Sequence, residues 1–175
     1  VDEPDIDLAA LRRLDAAAVD AVFDAWSPRL NGFLLRLGAS TEQAEELVQE
    51  AFVRLVRHAP GLRDDTRIGA WLYTVARNLW RSHRRWAWLD GTRLLELAWA
   101  PQRGPATPAE LASASETQAR LERAVAALPE AQREIFLLVV GEGLEPTDAA
   151  VVLGIRPEAA RQRLARARRA VEEAL

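Results

Sequence analysis

The spacing of apolar residues constrains this chain more than any other feature. They recur at three- and four-residue intervals, as in Ile68, Trp71, Leu72, Val75 and Leu79, and no stretch sustains the period-two alternation that a half-buried strand requires. Alanine, leucine and arginine, all strong helix formers, dominate the sequence. An all-α fold follows, and caps and breakers mark its elements. A first helix is expected from about Leu8 to Ala25, and Ser27-Pro28 reads as the N-cap and first-turn proline of a second that ends near Gly38. Ser40, with Gln43 three residues later, gives a capping-box pattern for a third helix, which Pro60-Gly61 stops after His58. A fourth spans Thr66 to about Trp88, its apolar stripe turned to the core.

The pattern then fails between Asp90 and Ser115, where Pro101, Gly104, Pro105 and Pro108 crowd together. Residues 1–89 and 116–175 are therefore expected as two small helical domains joined by a proline-containing linker over 90–115. Thr107-Pro108 with Glu110 is a further cap pattern for a helix reaching about Ala127, and Leu128-Pro129 opens another that ends around Val140. Pro146 to Leu153 reads as a short helix, Gly154 as a left-handed turn residue, and Pro157 as the start of a last helix. The second domain is thus a four-helix unit.

Composition excludes much chemistry. The chain has no cysteine, so disulfides, thiolate zinc sites and cysteine nucleophiles are absent, and its histidines are His58 and His83 alone. No catalytic constellation, metal or cofactor is expected. No apolar run approaches the ~20 residues that span a bilayer, and the acidic start at Val1 to Asp7 precedes no signal-type core, so a cytoplasmic protein is expected. The formal net charge of −3 speaks mildly against nucleic acid, but it conceals a segregation. Residues 1–50 hold 4 arginines and 11 acids, residues 51–103 hold 10 and 4, residues 104–160 hold 4 and 9, and residues 161–175 hold 5 and 2. Two basic stretches set in an acidic chain are two candidate surfaces for a polyanion.

The second of these is the last helix. A short helix, a glycine turn and an arginine-rich helix form the pattern of a helix-turn-helix, whose second helix enters the major groove. Ala160, Leu164, Ala167, Val171 and Leu175 make its core-facing stripe, which leaves Arg161, Gln162, Arg163, Arg166 and Arg169 outside. Arginine and glutamine make bidentate contacts to guanine and adenine edges, so Arg161, Gln162 and Arg163 near the helix start are readout candidates. Arg166 and Arg169, further along, suit phosphate. The plain alternative is a basic terminal helix that only complements its dipole.

The first basic surface lies on the fourth helix, where Arg77, Arg81, Arg84 and Arg85 share a face. Asn78, Trp80, His83, Trp86 and Trp88 are interleaved with them, and base–aromatic stacking contributes ~1–3 kcal/mol per base in single-strand binding. Trp71 reads as core, whereas Trp80 fits either role. The third helix buries Ala44, Leu47, Val48, Ala51, Phe52 and Leu55, leaving a mixed-charge face with Glu46, Gln49, Glu50 and Arg54 that by itself reads as solvated.

Taken in order, these segments resemble the extracytoplasmic-function (ECF) group of sigma-70-type sigma factors of bacterial RNA polymerase. AEELVQEAFVRLVRH (44–58) resembles the family's polymerase-clamp helix, and DDTRIGAWLYTVARNLWRSHRR (64–85) its promoter-melting and −10 segment. LPEAQREIFLLVVGEGLEPTDAAVVLGIRPEAARQRLARARRAV (128–171) resembles its −35-binding helix-turn-helix. The resemblance implies contact of Glu46, Gln49, Glu50 and Arg54 with the β′ clamp coiled coil of core polymerase, the β subunit being a further contact. It also implies capture of a flipped −10 base near Asn78, with Trp80 beside it and with Arg77, Arg81, Arg84 and Arg85 along the backbone. Arg161 and Arg163 match basic recognition-helix positions, and the linker would thread past the active-site cleft. Core polymerase, promoter DNA and an anti-sigma factor are the implied partners, without membrane insertion. The recognition helix departs from the family pattern in starting Pro157-Glu158-Ala159-Ala160, where small or hydroxylated residues are commoner. The rival reading is a sigma-like mimic that sequesters an anti-sigma factor without binding promoter DNA.

Overall fold

The computed structural model describes residues 6–89 and 116–175, so the linker expected over 90–115 lies outside the described residues. Among the described residues the chain is helical, without strands: α1 (Leu8–Arg12), α2 (Ala16–Leu37), α3 (Thr41–His58), α4 (Ile68–Leu89), α5 (Glu116–Ala127), α6 (Glu130–Phe136), α7 (Pro146–Leu153) and α8 (Pro157–Ala174). A 3₁₀ turn at Ala59–Gly61 closes α3, and a π-helical turn at Leu137–Gly141 extends α6.

The first two helices differ from expectation. The chain breaks at residues 13–15, where the Asp15 carboxylate caps α2 by accepting from the Ala18 amide at 3.2 Å. Pro28 then lies inside a continuous helix. An internal proline costs about 3 kcal/mol, but Val22, Trp26, Leu30, Phe33, Leu34 and Leu37 are buried on both sides of it. Burying a large apolar side chain contributes about 1.5–3 kcal/mol, so that stripe outweighs the proline. Gly38, with φ 103°, ends α2 in the left-handed conformation, and the Ala39 amide donates to the Leu34 carbonyl at 3.0 Å.

α3 starts as expected. The Gln43 amide donates to Ser40 Oγ at 3.2 Å and the Ser40 amide to Gln43 Oε1 at 3.0 Å. Its buried face holds the expected Ala44, Leu47, Val48, Ala51, Phe52 and Leu55. α4 crosses α2 where the Trp26 ring meets Gly69; a Cβ at residue 69 would sit 2.2 Å from Trp26 Cη2. Tyr73, one turn on, meets the edges of Trp26 and Phe33 at centroid distances of 5.9 and 5.2 Å.

On α4 the buried stripe is rotated from the expected one. Ile68, Leu72, Tyr73, Ala76 and Trp80 are buried, while Trp71, Val75 and Leu79 are only half-buried. The rotation has a physical cause: α4 packs against α2 and α3 on one side and against α7 on another. One apolar cluster runs from Trp26, Phe33 and Tyr73 through Ile135, Leu138, Ala150 and Leu153 to Leu164, joining the two helical units. Ala124, Leu128, Phe136, Ala167 and Val171 form a smaller cluster within the second unit.

Candidate nucleic-acid and polymerase interfaces

α8 stands as the sequence predicts. Ala160, Leu164, Ala167 and Val171 face the core, whereas Leu175 is exposed. Gly154, with φ 65°, makes the turn from α7, and the Ile155 amide donates to the Ala150 carbonyl at 3.0 Å. Arg161, Gln162, Arg166 and Arg169 are exposed and Arg163 is half-buried. Arg161 holds Glu158 at 3.1 Å, one turn back on the same helix. The acid at the helix start therefore pairs a readout candidate, and both side chains are exposed enough for DNA to displace that contact at little cost.

On α3, Glu46 and Gln49 are exposed, and Glu50 accepts from Arg54 Nε at 2.9 Å across one turn. These four residues share an outward face, two of them already paired with each other. His58 Nδ1 lies 2.8 Å from the Arg54 carbonyl, a contact that closes the helix end.

α4 departs most from the sequence reading. Asn78, Arg81 and Arg85 are exposed as expected. Arg77, expected beside them on an open face, is instead 6% exposed. Its guanidinium forks onto Glu134 of α6, Nε to Oε1 at 2.8 Å and Nη2 to Oε2 at 3.0 Å. Arg84 pairs with Glu130 at 2.9 Å and lies 5.9 Å from the centre of the Trp80 ring. Trp80 belongs to the core, at 5% exposure, as part of the apolar cluster that runs through both units. Trp86, 71% exposed, offers a free indole face on this helix.

Sequence reasoning missed Glu134 and Glu142. Glu142, buried between glycines, accepts from the Tyr73 hydroxyl at 2.6 Å and pairs with Arg36. Burial, reinforced by repulsion from the Glu142 carboxylate and the bond to it, pushes the Tyr73 phenol well above 10.0. Arg67 at the start of α4 pairs with Asp148 of α7. The available signal was an acid set within an apolar helical run, as Glu134 is in EIFLLVV. Among the described residues no group of histidines and acids could hold a metal ion, and no helix is long and apolar enough to cross a membrane.

An arginine-bearing helix followed by a helix-turn-helix, in this order, is matched by known families. Residues 22–89 match the model for Sigma-70 region 2, and residues 118–171 the model for Sigma-70, region 4. The ECF RNA polymerase sigma factor EcfG of Rhodopseudomonas palustris is 31% identical over 146 residues, covering 81% of this chain and 76% of that protein. The chain belongs to the ECF sigma factors. That group consists of non-enzymatic proteins that direct promoter-specific transcription initiation. The ECF sigma factor RpoE of Cereibacter sphaeroides is 35% identical over 130 residues, 70% of this chain and 66% of that protein. The sigma factor RpoE of Bartonella quintana, solved in complex with the anti-sigma factor NepR, has the same fold at a TM-score of 0.69 and 23% identity, over 89% of this chain and 94% of that one.

Proposed function

We propose that this sigma factor docks on core RNA polymerase through the α3 face of Glu46, Gln49, Glu50 and Arg54 and directs it to promoters with two DNA-binding units. Residues 1–89 form the core-binding and −10 unit, 90–115 the linker and 116–175 the −35 unit. The observation that carries this reading is the occurrence of both sigma regions in family order, each with its basic helix. Asn78 receives a flipped base of the −10 strand, and Arg81 and Arg85, with Arg77 and Arg84 once freed, follow its backbone. Flipping costs a few kcal/mol, which cations and stacking offset. Trp80 contributes from within, as the floor beneath Arg84, and the exposed Trp86 supplies the stacking surface. Arg161, Gln162 and Arg163 read the −35 duplex while Arg166 and Arg169 hold phosphate. The protein works in the cytoplasm, beside its polymerase, and an anti-sigma factor covers the same surfaces, as NepR partners its sigma factor in Bartonella quintana.

The test is run-off transcription with purified core polymerase and a promoter library. Selective initiation is expected, and its absence would sink the proposal. Asn78→Ala or Arg81→Glu should impair open-complex formation while core binding survives; retained open complexes would remove these residues from the −10 contacts, whereas a mimic that only sequesters an anti-sigma factor would form no open complex even unmutated. Gln49→Ala with Glu50→Ala should weaken core binding, and unchanged affinity would count against the α3 assignment.

A further inference from the structure

The outward face of α8 carries an acid where a duplex would be read. Ala160, Leu164, Ala167 and Val171 are buried at i, i+4, i+7 and i+11. Glu158, Gln162, Ala165 and Arg169 repeat that spacing two residues earlier, about 200° around the helix, and all four are exposed. They form the line directly opposite the core. Glu158 is the second residue of α8, after Pro157, and in a helix-turn-helix the first residues of this helix contact base edges. Its side chain is 67% exposed and that of its partner Arg161 59%. The dipole of α8 favours an acid in the first turn, but it is indifferent to the face on which that acid lies. A carboxylate at neutral pH only accepts hydrogen bonds. In the major groove guanine presents two acceptors and thymine another, adenine sets its amino donor beside the N7 acceptor, and cytosine presents its N4 amino donor without an acceptor.

We propose that Glu158 reads a base of the −35 element: its carboxylate accepts from the N4 amino group of a cytosine in the major groove, while Arg161 donates to O6 and N7 of a guanine in the same or the next base pair. The proposal rests on the −35 reading given above and adds the base that the acid selects. The carboxylate and the guanidinium are 3.1 Å apart, close to the rise of about 3.4 Å per base pair, so the two tips reach neighbouring bases with little rearrangement. The acid also acts against wrong sites. The arginines of α8 attract phosphate whatever the sequence, and a carboxylate on their reading face subtracts from that attraction everywhere except at the matching base. Specificity is a difference between affinities, so Glu158 lowers binding to unrelated duplexes and widens the gap to the correct one.

The test uses the full chain assembled with core polymerase. Binding is selected from a duplex library randomised across the −35 element, in parallel for the parent chain, Glu158→Ala and Arg161→Ala. One position should favour cytosine about fivefold or more with the parent chain, the discrimination of one good base contact. Glu158→Ala should lose that preference and bind the rest of the library more tightly, whereas loss of a helix-dipole contact would weaken binding to every sequence alike. The selected site is then made with N4-methylcytosine at that position, which keeps its base pair and replaces the amino hydrogen exposed in the major groove. The parent chain should lose about fivefold or more on this duplex, and Glu158→Ala should bind the two duplexes equally. Equal binding of both by the parent chain overturns the proposal. If Glu158 only braced Arg161, the loss would follow 7-deazaguanine, which lacks N7, and not N4-methylcytosine; that result also overturns it. A parent pool with −35 preferences but no cytosine that depends on Glu158 overturns this proposal and leaves the −35 reading standing. A parent pool with no −35 preference takes down both.

Discussion

Tyr73 is the chain's single tyrosine, so its titration can be followed without interference. Its side chain is wholly buried, and its hydroxyl donates to a carboxylate on the other helical unit at 2.6 Å. Burial is the main reason its pKa is raised above 10.0, Glu142 raises it further by charge and by accepting the hydrogen bond, and Arg29 and Arg36 pull the other way. The folded chain holds this proton more tightly than the unfolded chain does. The contribution to stability is therefore complete below pH 10 and declines as the pH rises, because there the unfolded chain alone releases the proton. The decline approaches about 1.4 kcal/mol per pH unit, or roughly 3 kcal/mol by pH 12, a large part of a typical stability of about 5–15 kcal/mol. The assay follows phenolate absorbance in the near ultraviolet together with helical ellipticity. Phenolate should appear only as ellipticity is lost or the units part, and Glu142→Gln, which removes the repelling charge, should bring ionisation to lower pH. A reversible phenolate transition near pH 10, in a chain whose helices are intact and whose dimensions by small-angle scattering are unchanged, would refute the burial of Tyr73 against Glu142.

Three further outcomes are expected. Gly69→Ala should lower stability by about 2 kcal/mol in denaturant unfolding, since overpacking against Trp26 costs up to ~3 and helix propensity returns only ~1; a more stable variant would show that α2 and α4 do not approach this closely. Ser40→Ala should cost about 1 kcal/mol by the same measurement, through loss of the cap of α3. Arg166→Ala should reduce the slope of log K against log salt for −35 duplex binding by about one, with little change in sequence preference; an unchanged slope would remove Arg166 from the phosphate contacts.

Most of the fold is legible in the sequence where a helix has one partner. The stripe of Ala160, Leu164, Ala167 and Val171 is right because α8 buries a single face within its own unit, and the box at Ser40 and Gln43 is right because capping is local. Pro28 misleads because its cost is local whereas the stripe that overrides it is tertiary. On α4 a single amphipathic face cannot describe a helix enclosed from several sides, so Trp80 and Arg77 fall inside although periodicity sets Arg77 outside. The exposure of the α8 cations and of the outer α3 face was readable from spacing, whereas a partner for the α3 face was suggested by the resemblance alone. The acids that meet Arg77 and Tyr73 were not, because the distance along the chain between partners hides them from any periodic pattern.

The chemistry of the Arg77–Glu134 contact also sets the direction in which this sequence can safely change. Replacing both partners with well-fitted methionine or leucine would remove two desolvation costs, and such exchanges are often neutral or stabilising by about 1–4 kcal/mol. A chain selected only for a high melting temperature would drift toward that oily seam. It would gain heat resistance and lose the basic side chain that the proposed −10 contact uses, so on that proposal thermal stability and transcriptional output should trade against each other at this one position.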